Sequence, residues 1–320
     1  MRRKLLIALA VVVVFVAAVF TANSSWLWGS TDGDLSLLAH RGIAQTYPLD
    51  GVENDTCTAT RIHPPGHAFL ENTLASMEAA WAAGADMLEF DVQVSADGRL
   101  VVFHDNTLEC RTDGTGQVKD HPFGYLRGLD LGYGYTADGG ATYPLRGTGV
   151  GLMPAAEEVV AAFPGRELLL DVKNDDAAEA EAIAAYLNTL PAPRRATMAA
   201  YGGDTAMEVI RARVPGFRVA SKKIMTDCLV SYLATGWTGL TPGACEHIEL
   251  HLPARYGRYL WGWPHLFVDR MKAADTRVVL VAGDGPWSEG FDTAASLQDV
   301  PDGWSGWLWT NRTDVIAPRL

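Results

Sequence analysis

The sequence is poor in positive charge. Only 26 Lys and Arg stand against 38 Asp and Glu, a formal net charge of −12. Binding a nucleic-acid backbone needs a basic surface, so that partner class is not expected. Cysteine is scarce too. None of the four, Cys57, Cys110, Cys228 and Cys245, lies in a Cys-x-x-Cys pair. This argues against zinc knuckles and thioredoxin-type motifs and fits disulfides in an oxidising compartment. No repeat of fixed period occurs, which argues against a solenoid. The glycine-rich stretch 128–151 includes Gly132-Tyr133-Gly134, but no helix follows to offer its N-terminus to a phosphate. It reads as an excursion between elements.

Long apolar runs are also missing, with one exception. After Arg2, Arg3 and Lys4, residues 5–22 run eighteen positions without a charge. That is near the lower length for a membrane-spanning helix. A cleaved secretory signal is the alternative, but no small-x-small site is evident around residues 20–23. The expectation is a signal anchor over 1–22, a polar linker over 23–34 and an exported body over 35–320. Without the three N-terminal basic residues, the linker and body together carry −12 − 3 = −15.

From residue 35 onward, short apolar runs alternate with helix-like stretches, the pattern of βα units on a parallel sheet. Strands are expected at 35–39, 87–94, 100–104, 167–172, 197–200, 218–220, 248–252, 277–282 and 306–310. Helices are expected at 73–83, 154–163, 176–190, 205–213 and 266–274, the first ending at Gly84. This count suits one TIM-type (β/α)8 barrel with insertions. An open doubly wound sheet is the alternative. For the cysteines the expected pairs are Cys57–Cys110, joining the segments that follow His40 and His104, and the local Cys228–Cys245.

Polar groups sit at or near the ends of these runs. The run 35–39 leads into His40-Arg41-Gly42, Leu88 and Phe90 flank Glu89, 100–103 leads into His104-Asp105, and 168–170 leads into Asp171. Charge at the mouth of apolar strands is costly unless it is paired or holds a metal. In a strand, residues i and i+2 face the same way, so Glu89 and Asp91 project together, as do Asp171 and Lys173. Three carboxylates from two strands make an oxygen-rich site for a hard divalent cation, Mg2+ or Ca2+. His40 and His104 suit acid–base work near neutral pH. Arg41 and Lys173 supply a planar fork and a point charge, the usual grip on a phosphoryl group.

These residues also carry a resemblance. Ala39-His40-Arg41-Gly42, Glu71-Asn72-Thr73, the stretch from Gly84 to Val92 and Val102-Phe103-His104-Asp105, in that order, resemble the glycerophosphodiester phosphodiesterase family. The likeness is strong over 35–112 and continues more weakly through Lys173. It implies a TIM-type barrel that hydrolyses glycerophosphodiesters to glycerol 3-phosphate and an alcohol. It further implies that His40 and His104 act as acid and base and that Glu89, Asp91 and Asp171 hold one divalent metal. Arg41 and Lys173 match phosphate-binding positions, and Glu71 and Asn72 match residues that orient the others. At Asp171 the family usually has Glu.

Two more departures are visible. The segment between Gly42 and Glu71 is long and contains His63-Pro64-Pro65-Gly66-His67, read as loop structure. The strand at 277–282 lacks the Trp-Thr-x-Asn sequence often found in the family, which leaves contacts in the last quarter unassigned. Tryptophans are dense there: Trp261, Trp263, Trp287, Trp304, Trp307 and Trp309. Trp307 and Trp309 are expected to turn one face inward. Sequons occur at Asn23, Asn54 and Asn311, and His121, His247, His251 and His265 read as structural. Two other functions fit the same site: headgroup release from lysophospholipid or sphingomyelin in the manner of a phospholipase D, or non-catalytic binding of a phospho-ligand. The expected partners are a small glycerophosphodiester and, through the N-terminal helix, a membrane. No obligate protein partner is evident.

Overall fold

The computed structural model describes residues 2–31, 33–53, 56–283 and 289–320. The sequon at Asn54 and Trp287 lie outside them. Among the described residues, eight parallel strands alternate with helices in the order of a (β/α)8 barrel. They are β1 (Ser36–His40), β2 (Met87–Val94), β4 (Glu167–Val172), β5 (Met198–Gly202), β6 (Arg218–Ser221), β7 (Glu249–Pro253), β8 (Arg277–Val281) and β9 (Trp307–Thr310). A ninth strand, β3 (Leu100–Val102), is antiparallel to β2 and stands off this series.

The run expected at 100–104 is therefore not a barrel strand. Val94 pairs with Leu100 across the turn at 96–98, a hairpin that Gly98 closes at φ 77°. A five-residue apolar run specifies burial but not strand direction. His104 thus follows a hairpin arm, while the other site residues cluster around parallel strands.

The chain divides into two compact units. One comprises residues 37–222, 290–296 and 309–320; the other comprises 1–36, 223–289 and 297–308. In the first, β2 is buried on both faces along nearly its whole length, as parallel strands covered by helices are. The helix Leu74–Ala82 that precedes it starts at Thr73, whose hydroxyl accepts the Ser76 N–H in a capping box. The long insertion and the glycine-rich excursion share a hydrophobic cluster that includes Ile62, Leu70, Phe103, Leu108, Leu131 and Tyr135. The Cys57–Cys110 disulfide packs against it, with Cα atoms 5.4 Å apart. The His63 to His67 segment is loop structure, with His67 against Gln45 and the Ala44 carbonyl.

The second unit holds the helix Arg2–Ala22, strands β7 and β8, and the first half of β9. The Cys228–Cys245 bridge is also present, with Cα atoms 4.7 Å apart. Residues 23–34 are not a featureless linker: Ser25–Trp28 forms a helical turn, and Ser25 Oγ accepts the His265 N–H at 2.8 Å. The helix Lys222–Thr235 was not expected. It starts directly at the end of β6, where Ser221 is a single N-cap-type residue with no Gly or Pro beside it, a weak boundary signal.

Candidate active site

Strand register assembles the site. His40 lies opposite Glu89 across β1 and β2, and Asp91 lies opposite Asp171 across β2 and β4. Asp171 in turn lies opposite Tyr201 on β5. One carboxylate oxygen from each of Glu89, Asp91 and Asp171 lies within 4.8 Å of the other two. Glu89 and Asp91 are fully buried. Asp91 Oδ1 makes no hydrogen bond, its nearest cation being Lys173 Nζ at 3.3 Å. A buried, unsatisfied carboxylate oxygen among two others is the donor set a hard cation takes.

The turn after β1 aims the cationic members. Arg41 adopts φ 60°, a left-handed conformation that non-glycine residues seldom take, and Asn72 does the same. Gly42 follows at φ 80°, and a Cβ there would come within 2.7 Å of Ser76 and Met77 atoms. Strain of this kind collects where side chains must be aimed. The turn points Arg41 inward: its Nη1 donates to Glu71 Oε1 at 2.9 Å, its Nε to His40 Nε2 at 2.8 Å, and it lies 3.4 Å from Asp91 Oδ2. Asn72 clasps Asp91 from both sides, donating Nδ2–H to Oδ2 at 2.6 Å and accepting the Asp91 N–H on Oδ1.

The structure therefore brings together all nine expected site residues: His40, Arg41, Glu71, Asn72, Glu89, Asp91, His104, Asp171 and Lys173. It also adds residues the sequence did not mark. Tyr201 donates its hydroxyl hydrogen to Glu89 Oε1 at 2.9 Å. Arg111 bridges Glu71 and Asp105 at 3.2 Å to each. Asn311 Oδ1 lies 2.7 Å from His40 Nδ1, and Trp309 packs its ring 4.6 Å from the imidazole. Asp292 holds Asn311 through its backbone N–H and Nδ2, both at 2.7 Å. A Trp-Thr-Asn run of the kind missing from 277–282 thus stands one strand later, at 309–311. The signal is in the sequence, on a different strand from the one where the resemblance led us to expect it. Asn311 is committed to His40 and Asp292, so its sequon marks a structural position.

The network also fixes the imidazoles. Asn311 Nδ2 donates to Asp292, so its oxygen faces His40 and accepts from Nδ1; His40 Nε2 then carries the lone pair that Arg41 caps. His104 Nδ1 faces Asp105 Oδ1 at 2.6 Å, which leaves Nε2 as its exchanging nitrogen. Burial, then the Arg41 charge, push the His40 pKa well below its ordinary value, and burial with Arg41 and Lys173 brings His104 to about 4. Burial raises Glu89 well above the carboxylate range, and repulsion from Asp91 and Asp171 adds to it. At Asp91 burial acts the same way, but Lys173 and Arg41 outweigh it and hold the carboxyl well below the usual range. Asp171 is raised, burial again leading. Neighbouring carboxylates whose pKa values are driven apart mark a site built for charge.

Residues 40–190 match the model of the glycerophosphoryl diester phosphodiesterase family. The resemblance holds over these residues. That family consists of phosphoric diester hydrolases. Among curated relatives, an uncharacterized Mycobacterium tuberculosis protein, Rv2277c, is 28% identical over 186 residues, 58% of this chain and 60% of that one. The matched part thus spans about three-fifths of that relative's length. A Bacillus subtilis glycerophosphodiester phosphodiesterase is 38% identical over 96 residues, 29% of this chain and 31% of its own. The crystal structure of the glycerophosphoryl diester phosphodiesterase domain of Rv2277c superposes with a TM-score of 0.60 at 19% identity, covering 88% of this chain and 97% of that one. A phosphodiesterase from Oleispira antarctica, solved with sn-glycerol-3-phosphate, gives 0.54 at 20% identity, covering 93% of this chain and all of that one. These likenesses support the TIM-type barrel fold.

Proposed function

We propose that this chain hydrolyses glycerophosphodiesters to glycerol 3-phosphate and an alcohol, with residues 35–320 as the catalytic barrel domain. The observation that carries the reading is the carboxylate triad flanked by two tautomer-fixed histidines, the buried Arg41 and the half-buried Lys173. Glu89, Asp91 and Asp171 would hold one divalent metal, Mg2+ or Ca2+, and the short Asp171 side chain is its least favourable ligand. Once bound, such an ion supplies Lewis-acid polarisation of a phosphoryl oxygen. Arg41 and Lys173 bind and orient the phosphodiester anion. Phosphate reaching Arg41 competes for the Nε–H that caps His40, which frees the Nε2 lone pair for a proton. One histidine removes the proton of the attacking hydroxyl or water, and the other returns a proton to the leaving alkoxide. Asp105, held to about pKa 2 by Arg111 and His104 against the opposing effect of burial, stabilises the charged form of His104. Glu71 and Asn72 keep Arg41 and Asp91 in position.

The test is glycerol 3-phosphate release from glycerophosphocholine, with and without chelator, by wild type and His104→Ala. Each treatment is expected to lower the rate by at least ~10²-fold. Activity that survives both would overturn the proposal. The helix Arg2–Ala22, apolar and long enough to cross a membrane, favours a second reading, headgroup release from lysophospholipid. We read that helix as an anchor that places the domain outside the cytoplasm. Lysophosphatidylcholine in the same assay separates the two substrates.

A further inference from the structure

Residues 228–245 carry no charged side chain, in a chain that is 20% charged, and the Cys228–Cys245 disulfide closes both ends of this stretch. Its apolar side chains are not all inside. Val230 is 60% exposed, Leu233 43%, Trp237 39% and Leu240 70%. Val230 and Leu233, three apart on the helix Lys222–Thr235, share one face, and Trp237 follows in the next turn. Three of the hydroxyls among them are satisfied within the protein. Thr235 donates to the Ser231 carbonyl, Thr238 to the Thr235 carbonyl, and Tyr232 to the Trp261 carbonyl. An exposed apolar face with internally satisfied polar groups is the condition for a non-aqueous surrounding.

The same segment grips the N-terminal helix. Asn23 Nδ2 donates to the Trp237 carbonyl at 2.9 Å, and Arg270 Nη1 donates to Asn23 Oδ1 and to the Gly236 carbonyl. Phe15 meets the Trp237 ring edge-on at 6.1 Å, and Phe20 meets Trp261 at 6.1 Å. Phe15, Val16, Val19 and Phe20 line an open apolar groove with these two tryptophans. Depth follows from helix geometry. Phe15 lies seven residues before Ala22, ~10 Å along the axis at 1.5 Å per residue. The uncharged run 5–22 is ~27 Å long, against a hydrocarbon layer of ~30 Å, so an anchored helix has no slack to lift Phe15 out of the bilayer. Trp237, in contact with Phe15, goes in with it.

We propose that residues 228–245 form a second membrane contact, a disulfide-closed loop seated in the bilayer beside the N-terminal helix, with phospholipid as its partner. This rests on reading that helix as an anchor. The test uses the full chain in phosphatidylcholine nanodiscs, with an environment-sensitive fluorophore on Leu240→Cys, on Val230→Cys or, as a reference for the helix, on Val12→Cys. Each variant is accepted only with an unchanged thermal midpoint. Labels at 240 and 230 should shift to shorter wavelength, lose quenching by aqueous iodide and gain quenching by doxyl-phosphatidylcholine, as the label at 12 does. If 12 is lipid-quenched while 240 and 230 stay open to iodide, the loop contact is overturned and the anchor stands. If 12 is open to iodide as well, both readings fail. Protection of 240 and 230 from iodide without lipid quenching, appearing with self-association, would assign the face to a second copy and overturn the proposal.

Discussion

The two units of this chain use burial in opposite ways. The unit built on β1, β2, β4 and β5 buries Glu89 and Asp91 beside Asp171 and keeps like charges within 4.8 Å of each other. The unit built on β7 and β8 also buries a strand carboxylate, Glu249, but places it 3.6 Å from the Arg277 guanidinium. One arrangement offers coordination to something that must be added, and the other completes a pair within the strands. The exposed surfaces extend the contrast. The second unit turns Val230 and Leu240 outward, while the first draws even the guanidinium groups of Arg41 and Arg111 inside. Stability and function are thus written in different places.

Glutamine at each buried glutamate is the sharpest way to break this contrast. Glu89→Gln should lower glycerophosphodiester hydrolysis by more than ~10²-fold, since even residues that only support a metal ligand cost up to that much. It should leave the metal-free protein as stable as wild type or more so, because it removes a repelled, desolvated charge. Glu249→Gln should do the reverse, costing ~3–5 kcal/mol in urea unfolding by removing one partner of a buried ion pair, while the folded fraction keeps its activity. Full activity in Glu89→Gln, or inactivity without instability in Glu249→Gln, would abolish the distinction.

The disulfides sharpen it with smaller effects. Loop-closure entropy makes Cys57–Cys110, 53 residues apart, worth ~4 kcal/mol and Cys228–Cys245, 17 apart, ~3 kcal/mol. Serine replacement of the first pair should also reduce kcat, because Arg111 follows Cys110 and hydrogen-bonds Thr58, the neighbour of Cys57, at 3.0 Å. Replacement of the second pair should leave kcat unchanged. Equal losses of kcat in both double variants would count against the contrast.

Titration gives the most gradual effect. His104 and His251, one in each unit, are both lowered from 6.5 to about 4, burial leading in each case. The unfolded chain takes up these protons first, so stability should fall as pH drops from about 6.5 to about 4. Asp105, depressed from 3.8 to about 2, adds a further loss below that window. Denaturant titrations of the metal-free protein should show His104→Gln and His251→Gln each flattening part of the slope between pH 4 and 6.5. Only His104→Gln should also remove activity at pH 7.

Much of the first unit was legible because its signals are local. Alternation along 87–94 puts Glu89 and Asp91 on one face, Thr73 caps its helix, and short strands ending in polar groups mark one rim. What escaped depends on distance or direction. The antiparallel course of β3 comes from a turn and not from its composition. Tyr201 joins the site only through strand register. Asn311 was visible as a sequon but not as the partner of His40, since nothing local in sequence links the two. The helix Lys222–Thr235 carries β-branched residues and follows β6 without a connecting turn, so tertiary packing decides what propensity leaves open.

The His40–Asn311 contact spans 271 residues. Contacts of such separation carry the largest chain-closure cost. The carboxylates come from β2 and β4 alone, whereas the first imidazole takes its aim from a residue that follows β9. A rate assay of this chain therefore doubles as a test that its first and last barrel strands have met.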